Sequence, residues 1–433
     1  MELANQIEHL LRSRRASGLP EHFVLPHYGG YSIANLAPTV ARVLDVPLED
    51  AAPALPEHLW SDLIEDVKCV VLVIVDALGY RQLRHYLAAE TSIFSRLALE
   101  GHLVPITSVF PSTTVTALTS IWTGRPPLGH GFLGTKLLLP ELGVLANLLK
   151  MAPAVYSGGG RLEDWGWDPE SFVTAPTLAG QLRAGGVDVV AHTRLSFMGS
   201  TLTQIFMRGM DKIRGYVGLS DLWVDLRRTL TEREPNQRLF VDVYWGGIDN
   251  VGHVYGPHGA YLPAALRHLA RSFEEDFLAR LPKKAREGTL LIVTADHGQI
   301  ATPPEHVVHL PEHPALQETL LLPPAGESRA AYLYAQPGQQ DALQGYVNDH
   351  LIDDFVLQPT EQALETGLFG PPEASAPQWR ARLGDVLLIA KHNSRLSRRA
   401  RKKEAGTQLH GHHGSLTPEE MLVPLLMARL DRL

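Results

Sequence analysis

Apolar residues in this chain gather in short continuous runs, and the stretches between the runs carry helical spacing. The clearest run is Cys69–Val75, uninterrupted and mostly β-branched, as expected of a strand buried on both faces. Leu103–Val109, Val187–Ala191, Leu239–Tyr244 and Thr289–Thr294 read as further strands. Helical patterns fall at 3–14, 34–44, Thr177–Leu182 and Tyr261–Ala279, and prolines from Pro20 to Pro56 make the early chain loop-rich. Strands alternating with helices predict an α/β fold with a mostly parallel central sheet and helices on both faces. After residue 301 prolines punctuate the pattern, and short strands are expected at Arg329–Tyr334 and Asp385–Ala390. The expected organisation is an N-terminal helical and loop extension (1–64), an α/β core (65–300 and 391–433) and an inserted, smaller α+β lobe (301–390).

Ligands of parallel α/β sheets collect beyond the carboxyl ends of the strands. Asp76 directly follows one predicted strand, Asp249 shortly follows another, and Asp296 and His297 follow a third. At the end of a strand and before a Gly turn, Asp76 suits a helix N-cap or a metal ligand equally. Asp249 and His253 are four residues apart, so on one helical turn they would face the same way and could chelate one ion. Asp296 and His297 are adjacent and diverge, which suits two ions or one ion approached from a loop. His413 lies in the Gly-flanked cluster His410-Gly411-His412-His413-Gly414 and is read as a ligand too. Three Asp and three His are the donors that two adjacent divalent sites need, and the mixed set suits zinc, manganese or iron.

Between these segments lies a hydroxyl-dense turn, Phe110-Pro111-Ser112-Thr113-Thr114, followed by a helical pattern. Thr113 and Thr114 then fall at a helix N-terminus, where the dipole and free N–H groups favour a phosphoryl group. A metal beside a Thr oxygen would make it a nucleophile. An N-cap role is compatible with that reading.

Composition narrows the field. The chain has 433 residues, 45% hydrophobic and 20% charged, with a formal net charge of −8. Bulk electrostatics therefore speak against a stable nucleic-acid partner or an anionic membrane surface. The one cysteine, Cys69, excludes a disulfide framework and cysteine-rich zinc modules, and its apolar run makes it a core thiol. The start of the chain lacks a secretory apolar region, and no run is long enough to span a bilayer, so a cytoplasmic location is expected. Residues 395–403 hold six basic side chains, read either as a solvated mobile loop or as a guide for an anionic substrate.

Taken in order, these segments resemble the alkaline phosphatase superfamily, most closely its type I phosphodiesterase/nucleotide pyrophosphatase branch, over roughly 65–300 and 405–425. Asp76 matches the family's first-metal Asp. The family nucleophile precedes a Thr-Gly pair by nine positions, which from Thr123-Gly124 leads to Thr114. Asp249 and His253 match its Asp-xxx-His, and Asp296-His297-Gly298 its Asp-His-Gly. His413-Gly414 before Met421-Leu422-Val423-Pro424 matches its late His-Gly. The resemblance implies one metal on Asp249, His253 and His413, and another on Asp76, Asp296 and His297 with Thr114 nearby.

It further implies an alkaline-phosphatase-like fold and a hydrolase of phosphoric esters, of phosphodiesterase or pyrophosphatase type. Two divalent ions, zinc above manganese or iron, and a small phosphorylated substrate such as a nucleotide go with that. Where the family has an Asn, twenty-one positions past the nucleophile, this chain has Thr135 beside Lys136, and both are expected to contact substrate. Phosphomonoesterase or phosphonate hydrolase activity on the same scaffold is the alternative, and a catalytically silent metal-binding relative the non-enzymatic one. A sulfatase would need Cys or Ser in a Cys/Ser-x-Pro-x-Arg context, which Cys69 lacks. A phosphoglycerate mutase would have a Ser nucleophile and a long insertion after it.

Overall fold

The computed structural model describes residues 2–155, 160–372, 377–401 and 409–433. Seven strands form the central sheet: β1 (Cys69–Val75), β2 (His102–Thr107), β6 (Asp188–Arg194), β7 (Lys212–Tyr216), β8 (Leu239–Trp245), β9 (Thr289–Thr294) and β18 (Leu422–Arg429). Their order is β2-β18-β9-β1-β8-β6-β7, and only β18 runs against its neighbours. β1 lies at the centre, buried along its whole length between β8 and β9. That position explains its continuous apolar sequence.

A second, antiparallel sheet joins β3 (Lys136–Leu139), β4 (Val144–Asn147) and β5 (Ala152–Pro153) to β12 (Ala325–Gly326), β13 (Ala330–Leu333), β14 (Phe355–Pro359) and β15 (Val386–Ala390). It therefore reaches beyond the expected 301–390 lobe and takes three strands from residues 136–153. The segment escaped the sequence reading because its strands are short and only partly buried. Two ribbons complete the strand set: β10 (Ile300–Ala301) with β17 (Gly411–His412), and β11 (Val307–His309) with β16 (Arg395–Ser397).

Other differences have similar causes. β7 was not expected because its sequence, Lys-Ile-Arg-Gly-Tyr, is that of an exposed edge strand. The helix expected to reach Ala279 is α-helical over Tyr261–Ser272 and then widens into a π turn, Phe273–Phe277. The basic run does not begin as a solvated loop. Its first residues are buried strand β16, Arg398 donates to the Ala154 carbonyl at 3.3 Å, and Arg401 pairs with Glu312 at 3.1 Å. Lys402 and Lys403 lie outside the described residues. Cys69 is buried, as its apolar run implied. Among the described residues no helix is long and apolar enough to cross a membrane.

The two sheets are fastened by a fully buried ion pair. Arg329, at the start of β13, donates from Nε and Nη2 to the two oxygens of Glu420 at 2.8 Å each. Its remaining N–H groups reach the Ser394 and His392 carbonyls. Glu420 also accepts from the Ser415 N–H and the Thr417 hydroxyl. Every polar group of the pair thus has a partner, which its burial requires.

Asp242, on β8, lacks such compensation. It is fully buried and its oxygens make no hydrogen bond of normal geometry. Burial pushes its carboxyl up to about 7, with the Trp122 indole opposing the rise.

Two stability predictions follow from these buried charges. Glu420→Gln leaves Arg329 uncompensated, so chemical denaturation should register a loss of about 3–5 kcal/mol. For Asp242 the folded chain keeps a proton that the unfolded chain releases between about pH 4 and 7, so stability falls through that window. Asp242→Asn should abolish that slope and stabilise the protein at pH 8 by about 4 kcal/mol, with little effect at pH 4. A denaturation series across this range tests it.

Candidate metal centre and nucleophile

The carboxyl ends of β1, β8 and β9 bring three ligand-bearing segments together. Asp76 follows β1 and is held by its N–H to the Trp245 carbonyl at 3.0 Å. The chain then turns through Ala77 at a φ of 60°, and the Ala77 N–H donates to Asp296 Oδ1 at 3.1 Å. That same oxygen accepts the His297 N–H at 2.9 Å, so Asp296 Oδ2 is left buried with no partner. Asp76 is arranged alike: Tyr244 donates its hydroxyl to Oδ2, and the buried Oδ1 has no partner. His297 Nε2 lies 3.6 Å from Asp76 Oδ1 and 3.4 Å from Asp296 Oδ2. Two orphaned carboxylate oxygens and an imidazole nitrogen thus converge on one point.

The helix Gly247–Tyr255 starts two residues after β8 and carries Asp249 and His253 on one face, as their spacing predicted. His253 Nε2 is 3.2 Å from Asp249 Oδ1, and His413 Nε2 is 4.0 Å from the same oxygen. His413 arrives from the segment after β17 and stacks on His297 at 3.8 Å between ring centres. Donor atoms within 4.8 Å of one another define two groups among the described residues: Asp76, Asp296, His297 and Asp249, His253, His413. The division coincides with the one the sequence resemblance implied, with the adjacent Asp296 and His297 in one group.

Each of the three imidazoles has its Nδ1 on a backbone carbonyl: His297 on Gly298 at 2.9 Å, His253 on Gly411 at 2.7 Å, His413 on Ser112 at 2.9 Å. A carbonyl only accepts, so Nδ1 carries a proton and each ring, when neutral, turns its Nε2 lone pair to the cluster. Without a cation the cluster is electrostatically poor. Burial, then Asp296 and Asp249, push the Asp76 carboxyl well above the usual range, and burial raises Asp296 likewise. Burial and the neighbouring His297 and His253 push His413 down. At His253 burial is outweighed by Asp249, which lifts the ring to about 9. Oriented lone pairs, orphaned oxygens and carboxylates in mutual repulsion fit divalent cations.

Thr114 opens the helix Thr114–Thr123, and its Oγ1 is 3.2 Å from His297 Nε2. The preceding turn is tied to the His413 segment through Ser112, whose hydroxyl donates to the Ser415 carbonyl at 2.7 Å and accepts the Gly414 N–H at 3.2 Å. Thr135 Oγ1 lies 3.4 Å from Thr113 Oγ1, while its N–H donates to Glu327 at 2.6 Å. Thr135 therefore joins the site through Thr113. Lys136 is half-buried in β3; burial lowers its amine, Glu327 opposes this, and Arg398, Arg399 and Lys150 add to the lowering. Sequence reasoning missed Tyr244 and Gln299, the latter donating to Asp249 Oδ1 at 3.0 Å. Their signals were slight: a Tyr at the end of a strand and a Gln directly after the Asp-His-Gly.

No curated protein matches this sequence. Solved structures of the same fold include murine ectonucleotide pyrophosphatase/phosphodiesterase 5, at 17% identity and a TM-score of 0.60, covering 83% of this chain and 87% of that one. The human counterpart has 18% identity, with the same TM-score and coverage. Phosphonoacetate hydrolase from Sinorhizobium meliloti 1021 has 20% identity and a TM-score of 0.60, covering 83% of this chain and 89% of that one. The fold is alkaline-phosphatase-like. A family model, type I phosphodiesterase/nucleotide pyrophosphatase, matches residues 70–416, and the chain belongs to that family of metal-dependent hydrolases of phosphoric esters.

Proposed function

We propose that this chain cleaves a phosphoric diester or pyrophosphate, such as a nucleotide derivative, with Thr114 as nucleophile. The observation that carries the reading is the set of three imidazoles turned Nε2-inward beside the Thr114 hydroxyl. Asp76, Asp296 and His297 would hold one divalent ion, and Asp249, His253 and His413 the other; the donor set favours zinc, with manganese or iron next. When bound, such ions supply Lewis-acid charge that favours deprotonated oxygen nucleophiles and neutralises developing negative charge.

Thr114 Oγ1 would attack phosphorus in line with the leaving oxygen. The P–O bond to that oxygen breaks as the threonine P–O bond forms, the threonine proton leaving with the departing alcohol or phosphate, and phosphorus stays bound to Thr114 with its remaining ester group. Water then attacks phosphorus and releases the Thr114 oxygen. The helix N-terminus beneath Thr114 offers N–H groups to the phosphoryl oxygens, and Thr135 and Lys136 would contact the substrate from the second sheet. Among the solved relatives, the inactive murine variant carries a threonine-to-alanine change and is seen with AMP, in keeping with a Thr nucleophile.

Phosphonate hydrolysis is the second reading. It is favoured by the cations near Lys136, Arg398, Arg399 and Lys150, which Glu327 offsets in part, and by a structural relative solved with phosphonoacetate.

Thr114→Ala should lower turnover of bis(p-nitrophenyl) phosphate by about 10³-fold or more while both metals stay bound; unchanged turnover removes Thr114 from the role. Rates on that diester, p-nitrophenyl phosphate and phosphonoacetate, each with zinc or manganese, rank the two readings. Chelation should abolish turnover and lower Tm, because the ions bind only the folded cluster. His413→Ala should lose one of two metal equivalents by elemental analysis, whereas retention of both argues against His413 as a ligand.

A further inference from the structure

Gln299 lies where the segment of Asp296 and His297 meets those of Asp249 and Gly411. It directly follows Asp296-His297-Gly298, yet its side chain points away from that group and its Nε2 donates to Asp249 Oδ1 at 3.0 Å. Asp249 Oδ1 is the oxygen that faces both His253 Nε2 and His413 Nε2. A carboxylate oxygen has two lone pairs, so it can accept the amide and still meet an ion.

The surrounding backbone is cut to admit this amide. A Cβ on Gly252, one turn along from Asp249, would lie 1.7 Å from Gln299 Oε1. A Cβ on Gly411 would lie 2.5 Å from the same oxygen. Gly411 is the residue whose carbonyl orients His253. Gln299 is itself buried. Neither glycine has a left-handed φ; at Gly252 the space for the amide is what a side chain would take, while at Gly411 a Cβ would also meet the Gly252 carbonyl, at 2.4 Å.

We infer that Gln299 is a positioning residue that spans the two metal sites: carried on the segment of one, it fixes the carboxylate rotamer of the other. The inference rests on the two-metal reading of the site. Tyr244 does the corresponding work on Asp76. The two devices differ in that the phenol belongs to the sheet beneath its site, whereas the amide comes from the neighbouring site's own segment. The spacing of the Asp249 site from the Asp296 site is thereby set through one side chain.

The test uses two variants of the full chain, stripped of metal and titrated with Zn²⁺ against a chromogenic chelator, then with Co²⁺ to read the ligand-field bands. Gln299→Met keeps the volume and removes the hydrogen bond. Gly252→Ala leaves Gln299 intact and displaces its amide, while favouring the helix by about 1 kcal/mol. In both, one metal equivalent should weaken by about 10–100-fold with a shifted cobalt band, and the other should stay as in the parent. The metal-free Tm of Gly252→Ala should not fall, which a purely structural defect would not allow. The double variant should weaken that site no more than either single one.

Parent affinity and spectrum for both equivalents in both variants would overturn the positioning role. Asp249→Ala separates the two possible failures. If it loses one equivalent while Gln299→Met changes nothing, only the role of Gln299 is refuted. If it binds two equivalents at full affinity, the metal centre itself is wrong and the inference goes with it.

Discussion

Three carboxylates are gathered at one edge of a parallel sheet, and like charges at this separation in a buried site repel strongly. Asp76 and Asp296 have each committed one oxygen to protein donors and left the other bare. Such a cluster is a poor way to stabilise a fold and a good way to hold cations. Much of the surrounding structure answers to this constraint. It explains why three histidines are locked in one tautomer by backbone carbonyls, and why a phenol and an amide are spent on orienting carboxylates.

The ligands come from segments far apart in sequence, so their geometry depends on how those segments are tied. β1, β8 and β9 are adjacent, which places Asp76, Asp249 and Asp296 side by side without further help. His413 has no such strand beneath it. Its segment is held by Ser112 on one side and by the Glu420–Arg329 pair on the other. The buried ion pair thus does more than join two sheets: through Ser415 it steadies the loop that carries His413, the sixth candidate ligand.

The sequence was legible where chemistry and periodicity coincided. β1 and β9 could be read because fully buried parallel strands leave continuous apolar runs, and the Asp residues at their ends were exposed by contrast. Asp249 and His253 could be read because a helix repeats its face every four residues. The edge strand β7 and the short strands 136–153 could not, since half-exposed strands carry no continuous run. The basic run misled because charge was taken as a sign of solvent; Arg395 is buried in a ribbon whose pairing partner is about ninety residues distant. Tyr244 and Gln299 act through contacts across the fold, and a single sequence records nothing of such contacts beyond the residue types.

The two sheets therefore divide the labour of the site. Five of the six candidate metal-binding side chains lie in segments that follow strands of the central sheet, Thr114 opens its own helix, and His413 alone of the six comes from the segment after β17. Thr135, Lys136 and Glu327 belong to the second sheet or its turns, and Thr135 meets the segment of Thr114 at Thr113. On the proposed reading, changes at Thr135 or Lys136 would bear on which phosphorylated molecule is accepted, whereas Arg329, also of this sheet, would reach the His413 segment through Glu420 and Ser415. On the proposed reading Thr135, which stands where the resemblance expects an Asn, would bear on substrate choice through its contact with Thr113.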